Sequence, residues 1–400
     1  MVLKQTGLAA AVLLASSQLA YANDLNINGF INVTGGVLSN DKISLDGYDD
    51  NPSFDQGTLM GLQMSKKVND STSATVQLVS RGSEDYKTEA SWAYITYALN
   101  NDTDIRAGRL RTPFFYYSDF LEVGYAFNWV RPPSSVYRLD GLSSITGVDI
   151  THRFNIGNVD GSVQVYTGRY NDDFALNGDV YEVELRNAMG AVFSLNQGNF
   201  GARVSYHQTD LSFDANSLVT NRTPPTADIN GNIGVDLTDP TAVADALKGS
   251  RALDSISSIA ELRGVEADFI ANKDKSQFYQ ASLSWDNGST ALIAEWTGLK
   301  HDTALLNDDT SWLVSAAQRY GDATVHLTYT VTEDDLESGT VGTVQKNAQS
   351  EENSIILGLR YDYDSSTALK FDIQHHDEKL VGGTKGDSGF LYTVGMSLVF

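Results

Sequence analysis

Apolar and polar residues alternate along this chain in blocks of about ten, and no sustained helical period appears before about residue 240. In the first block Leu25, Ile27, Gly29, Ile31 and Val33 occupy one face, with Asn26, Asn28, Asn32 and Thr34 on the other. Met60, Leu62 and Met64 then alternate with Gly61, Gln63 and Ser65, and Ala74, Val76 and Leu78 oppose Thr75, Gln77 and Arg81. A side-chain period of two is that of a β-strand. The same pattern predicts strands near residues 88–99, 102–110, 145–155, 160–170, 187–196, 199–209, 275–286, 289–299, 311–320, 323–333, 352–364, 366–377 and 389–400, sixteen with the first three.

The predicted strands are joined in two ways that alternate. One set of connections is tight and carries turn formers, as in Asn69-Asp70-Ser71, Asn100-Asn101, Gly157-Asn158, Gln197-Gly198, Asp286-Asn287-Gly288, Gly321-Asp322 and Asp364-Ser365. The other set is mostly long, and acids crowd it at Asp46 to Asp50, Asp172 to Glu184 and Glu333 to Glu337. Soluble sandwiches do not usually sort their loops this way, whereas outer-membrane barrels have short periplasmic turns and long external loops.

The two strand faces decide which side is wet. The polar face carries Arg106, Arg153, Arg203, His207, Arg319, His326, Arg360, Asp372 and Gln374, too many ionisable groups for a packed interior. The other face carries Val148, Ile150, Phe193, Leu283, Leu292, Trp296, Leu327, Leu369 and Phe371. Apolar outside and wet inside is the consistent assignment. Tyr97, Phe154, Trp285 and Tyr361 near strand ends suit interfacial girdles.

Composition narrows the picture. Lys4, the apolar run that follows it and the small-x-small site Ala20-Tyr21-Ala22 predict a signal peptide over residues 1–22, with a single mature domain from Asn23 to Phe400. No later window has the run of about 20 apolar residues that a membrane-crossing helix needs. There is no cysteine, which excludes disulfides, thiolate metal sites and cysteine nucleophiles. The formal charge of -23 argues against nucleic acid as a partner, because phosphate would be repelled.

The last predicted strand sets Tyr392, Val394, Met396, Leu398 and Phe400 on one face and ends the chain on an aromatic. With the strand count and loop sorting, this resembles the Gram-negative outer-membrane porins of the general diffusion type. The resemblance implies an all-β fold, a transmembrane antiparallel β-barrel of 16 strands with a third loop folded inward. It also implies a homotrimer in the Gram-negative outer membrane, contacts with lipid and lipopolysaccharide, and passage of small hydrophilic solutes. Phe400 and Tyr392 become the assembly signal read by the barrel-assembly machinery. The chain departs from the family in two places: the Pro-Glu-Phe-Gly-Gly segment of many enterobacterial third loops is absent, and the second loop, Gly82 to Lys87, is short.

The third loop is the stretch from Arg109 to Ser144, far longer than an ordinary hairpin connection. Its rings, among them Phe114, Phe115, Tyr116, Tyr117, Phe127, Trp129 and Tyr137, call for a surface to pack against. Its charges, Arg111, Asp119, Glu122, Arg131, Arg138 and Asp140, call for water nearby. A loop folded into a wet cavity satisfies both. Asp119 and Glu122 are candidates for the loop side of a pore constriction, with Arg131 also in the set, and Arg81, Arg106 and Arg153 for the wall; salt bridges tying loop to wall are the plainer role for the same charges. The longest connection, about 210–274, has a helix start at Asp239-Pro240 and partial helical spacing after it.

No catalytic constellation stands out: there is no Gly-x-Ser-x-Gly elbow, no phosphate loop and no His-Glu-x-x-His. His375-His376 is a poor chelate, since adjacent strand residues point to opposite faces, and no metal or cofactor is expected. The leading function is a passive diffusion channel. The alternatives are a substrate-selective channel for sugars, peptides or anions, in which loop rings form a stacking path, and an adhesin or receptor displayed on a barrel.

Overall fold

The computed structural model describes residues 25–43, 45–139, 142–176, 179–214, 270–303, 306–335, 350–380 and 384–400. The expected leader and the middle of the 210–274 connection, with its helix start at Asp239, lie outside the described residues. Sixteen strands follow in chain order. They are β1 (Leu25–Leu38), β2 (Leu59–Lys67), β3 (Thr72–Arg81), β4 (Thr88–Ala98), β5 (Thr103–Arg111), β6 (Ser144–Ile156), β7 (Val159–Leu176), β8 (Asp179–Gln197), β9 (Phe200–Asp214), β10 (Ile270–Asp286), β11 (Thr290–His301), β12 (Asp308–Tyr320), β13 (Ala323–Asp335), β14 (Ser350–Asp362), β15 (Thr367–Leu380) and β16 (Thr384–Val399).

Each strand pairs antiparallel with its neighbours in sequence, and β1 pairs with β16 to close the barrel, from Phe30 opposite Val399 to Leu38 opposite Leu391. Closure removes the exposed edges that an open sheet would carry into lipid. Phe400 completes the seam: its N–H donates to the Gly29 carbonyl at 3.0 Å and its own carbonyl accepts from Gly29 N–H at 2.8 Å. The Phe400 ring lies over Gly29 and leaves no room there for a Cβ.

The tight turns are those the sequence predicts, for chemical reasons. Asn69, Asn100 and Asp364 each accept a backbone N–H two residues ahead, at 3.0, 2.9 and 2.8 Å. Gly157 and Gly198 sit at φ of 62° and 58°, where an L side chain is disfavoured. The stretch from Asp172 to Glu184 corrects the sequence reading. It is not an acidic loop: β7 and β8 run through it as a hairpin, paired from Asn171 opposite Glu184 to Leu176 opposite Asp179.

The faces fall as predicted. Leu283, Val314, Leu327, Leu357 and Leu369 are exposed around the outside, with Tyr97, Tyr320, Tyr361 and Tyr363 exposed toward the periplasmic ends. Arg203, His207, His326, Arg360, Asp372 and Gln374 point inward and are buried. The inside is not uniformly wet, however. Loop 1, between β1 and β2, folds in on a small core of Leu38, Ile43, Leu45, Tyr48 and Leu391. A larger core lies deeper and belongs to the third loop.

Candidate functional site

The third loop, L3, leaves β5 and returns to β6 through a neck closed by Thr112 N–H donating to the Ser143 carbonyl at 2.6 Å. Between these points it enters the barrel. Phe115, Phe127, Trp129, Val136 and Tyr137 form one apolar core with Phe278, Ile293, Leu313 and Ile356, which face inward from β10, β11, β12 and β14. The rings meet edge-on or tilted, as in Phe115 with Phe278 at 5.4 Å and Tyr117 with Trp129 at 5.8 Å between centroids. Burial pushes the Tyr117 and Tyr137 hydroxyls well above the ordinary phenol range, with Glu295 adding to it at Tyr137.

Sequence alternation assigned the inward faces of these strands to polar residues alone. The missed signal is a set of apolar doublets, Leu292-Ile293, Leu313-Val314 and Ile355-Ile356, in which one residue faces lipid and its neighbour faces L3. A strand with both faces dry must break its alternation.

Polar groups on the same walls hold the backbone of L3. Burial of its peptide groups without partners would be costly. Arg203 donates to the Phe114 carbonyl at 3.2 Å and also to that of Pro113. Glu295 accepts from Tyr116 N–H at 2.7 Å, the Tyr137 hydroxyl at 2.6 Å and Gln280 at 2.9 Å. Lys370 donates to the carbonyls of Gly124, Phe127 at 2.7 Å and Trp129 at 2.8 Å. Arg360 donates to those of Tyr125 at 2.7 Å and Phe127 at 2.9 Å. Asp372 accepts from Val130 N–H at 2.7 Å, Thr328 from the Trp129 indole at 2.8 Å, and Arg138 reaches Asp309 on β12. L3 thus spans the lumen and is fastened along β9 to β15.

The side bounded by β3 to β8 remains open. A cavity of about 700 Å³ on the external side of L3 is lined by Arg81, Glu89, Arg109, Glu122, Arg131 and Asp172. A second, of about 370 Å³, lies toward the periplasmic ends of the strands and is lined by Asp104, Arg106, Asp119, Arg153, Gln164 and Arg203. The six residues singled out from sequence divide between these places. Glu122 is buried and ion-paired to Arg111 at 3.1 Å and to Arg81, with Ser91 donating at 3.2 Å, so it fastens L3 to β3 and β4. Arg81 also pairs with Glu89 at 2.5 Å. Asp119 is exposed and shares the periplasmic-side cavity with Arg106 and Arg153. Arg106 is held by Asp149 at 3.0 Å and lies over the Tyr94 ring, while Arg153 pairs with Asp104 at 2.7 Å. Arg131 is exposed on the external side.

A family model described as Gram-negative porin matches residues 8–380. The chain belongs to this porin family. No curated protein matches its sequence. Among solved structures, a loop-deletion mutant of OmpT, an outer membrane protein of Vibrio cholerae, superposes with a TM-score of 0.58 at 11% identity, covering 94% of this chain and 99% of that one. The outer membrane channel DcaP of Acinetobacter baumannii gives 0.55 at 10%, covering 94% and 97%. An anion-selective porin from Comamonas acidovorans gives 0.53 at 13%, covering 94% and 99%. Identities this low speak for the fold alone. Family and barrel together make this porin an outer-membrane diffusion channel.

Proposed function

We propose that this porin passes small hydrophilic solutes and ions passively along the wall formed by β3 to β8, and that its narrow section lies where Asp119 faces Arg106 and Arg153. The observation that carries this reading is the pair of cavities on opposite sides of L3, both lined by the unfilled wall. Opposite charges across a narrow gap set up a transverse field that orients dipolar solutes and disfavours apolar ones. Arg81 and Glu122 sit beside this route as a neutralised pair, and Arg131 borders its external entrance. A sugar-stacking track along L3 is the weaker reading, because most of the L3 rings are spent in the dry core against β10 to β14.

The same proposal takes the chain as a homotrimer, in line with a trimer form of Vibrio cholerae OmpT among its structural neighbours, at a TM-score of 0.51 and 10% identity. Residues 1–22 act as the signal peptide and residues 23–400 as one barrel domain. Phe400 and Tyr392 serve as the signal for the barrel-assembly machinery, the exposed outer face meets lipid and lipopolysaccharide, and the channel catalyses nothing. Planar-bilayer recording tests the pore. Shortening L3 between Ser118 and Tyr137 should raise single-channel conductance. A shortened protein that inserts normally and conducts like the parent would exclude L3 from the channel.

A further inference from the structure

Among the described residues, one cluster of metal-ligating groups stands on β14 and β15, away from the β3 to β8 wall. Glu352 and Glu378 lie directly opposite each other across the two strands, and Ser354 is opposite His376, two residues along. The donor atoms of Glu352, His376 and Glu378 all lie within 4.8 Å of one another. Two carboxylates paired in this way repel, and the cost is relieved by a cation between them. His375 and His376 do not chelate together, since His375 turns the other way and meets the Phe390 ring at 4.5 Å. Alternation on one strand and register with the next assemble a different trio.

The histidine is set up as a ligand. His376 is 4% exposed, and its Nδ1 is engaged by the Ser354 hydroxyl at 3.0 Å, which orients the ring. Its Nε2 faces Glu378 at 3.7 Å, beyond hydrogen-bond range. Glu378 occupies a bulge, where the β15 to β16 register shifts between Asp377 and Lys379; bulges re-aim side chains in this way.

A second observation comes from another element. Loop 1 reaches this place: Gly389, paired with His376, is covered by Ile43 and Asn40 so closely that a Cβ would meet them at 2.8 and 2.9 Å. From the same loop, Asp46 carries an Oδ1 that is buried with no hydrogen-bond partner. A buried carboxylate oxygen without a donor is the group that a cation satisfies.

We propose that Glu352, His376 and Glu378 bind one divalent transition-metal cation of the Zn²⁺ class at the external end of β14 and β15, with Asp46 of loop 1 completing its charge. One imidazole and carboxylates, with no thiolate, suit Zn²⁺ and its first-row neighbours, whereas Mg²⁺ and Ca²⁺ prefer all-oxygen sites. Metal–ligand bonds of about 2.0 to 2.2 Å require the two glutamate side chains to rotate and draw the donors together. The bound ion bridges β14 to β15 beneath loop 1.

Purified full-length protein, folded in detergent and stripped with a chelator, is titrated with ZnCl₂ in a calorimeter. The proposal expects one saturable site per chain that millimolar MgCl₂ does not displace. His376→Gln and Glu378→Gln should each weaken it about ten-fold or more, while His375→Gln leaves it unchanged. Zinc binding that survives in His376→Gln, or that disappears in His375→Gln, overturns it, as does the absence of any saturable site. Folding of each variant is read from heat-modifiable gel mobility. Should a variant not fold, the wild-type protein loaded with Cu²⁺ decides: spin-echo modulation from one coordinated imidazole supports the site, and its absence overturns it.

Discussion

Two halves of one lumen are built from the same strand pattern and behave in opposite ways. From β3 to β8 inward polar residues face open cavities, and their charges pair along the wall, as Arg106 does with Asp149 and Arg153 with Asp104. From β9 to β15 several inward polar residues face L3 and hold its peptide groups, as Arg203, Glu295, Lys370 and Asp372 do. Arg106 and Arg153 thus line the cavity on one side, whereas Arg203 and Arg360 are buried clasps on the other; Arg81 and Arg111, which grip Glu122 of L3, are the clasp on the open side. Polarity alone does not distinguish them; what differs is the path of L3, which packs against Phe278, Ile293, Leu313 and Ile356 on the filled side.

The largest effects should come from removing a clasp. Glu295→Ala leaves Tyr116 N–H, the Tyr137 hydroxyl and Gln280 without their acceptor, at about 1 to 3 kcal/mol for each donor that water does not reach. Lys370→Met uncaps the carbonyls of Gly124, Phe127 and Trp129 in the same way. Both variants should lower the unfolding midpoint and make single-channel currents noisy. Quiet channels of normal stability would mean that L3 is held by its rings alone.

Charge insertion sharpens the comparison next. Leu283→Arg, at a lipid-facing position that is 66% exposed and two residues inside Trp285, should destabilise the barrel by less than the roughly 2 to 4 kcal/mol of a midplane arginine. From sequence, Ser282→Arg and Thr328→Arg merely add a charge to a wet wall. The structure corrects this: Thr328 is fully buried under Trp129 and Ser282 is 4% exposed, so an arginine at either place displaces L3 or its support. Ser162→Arg, on the open side, should fold normally and change only ion preference. Equal folding defects for Thr328→Arg and Ser162→Arg would erase the distinction between the halves.

Smaller in energy, and direct for function, is the separation of Asp119 from Glu122. Asp119→Asn should leave stability unchanged and move the reversal potential toward anions. Glu122→Gln should instead weaken the hold on Arg81 and Arg111, lowering stability with little change in selectivity. If the two variants exchange these phenotypes, the assignment of lining and clasp is inverted.

The smallest effect concerns loop 1. Burial pushes the Tyr48 hydroxyl up from its ordinary 10.0 to about 12, with Asp46 adding to it and Arg131 opposing. The folded form disfavours tyrosinate, so the docking of loop 1 is intact below pH 10 and is lost as pH rises through about 12. Tyr48→Phe should flatten that loss when followed by near-ultraviolet circular dichroism, and an unchanged profile would place the transition elsewhere.

Alternation alone determined that this chain makes strands, which residues of each face lipid, and where the tight turns fall. Lipid imposes a one-dimensional rule on every strand, since a side chain pointing outward meets hydrocarbon wherever it sits around the barrel. The inward fold of L3 was likewise legible, because its rings announce a need for burial without reference to other strands. Only the tertiary structure decided how the inward residues are used. Whether Arg203 lines water or caps L3, and whether Glu122 opposes Arg81 across a gap or grips it, depends on the path of a loop through three dimensions. The strand boundaries of β7 and β8 belong here too, since Asp172 and Glu184 read as loop by composition yet are held by pairing with each other's strand. So does the Glu352, His376 and Glu378 trio, which exists only because register sets Glu352 opposite Glu378 and a bulge turns Glu378 beside His376.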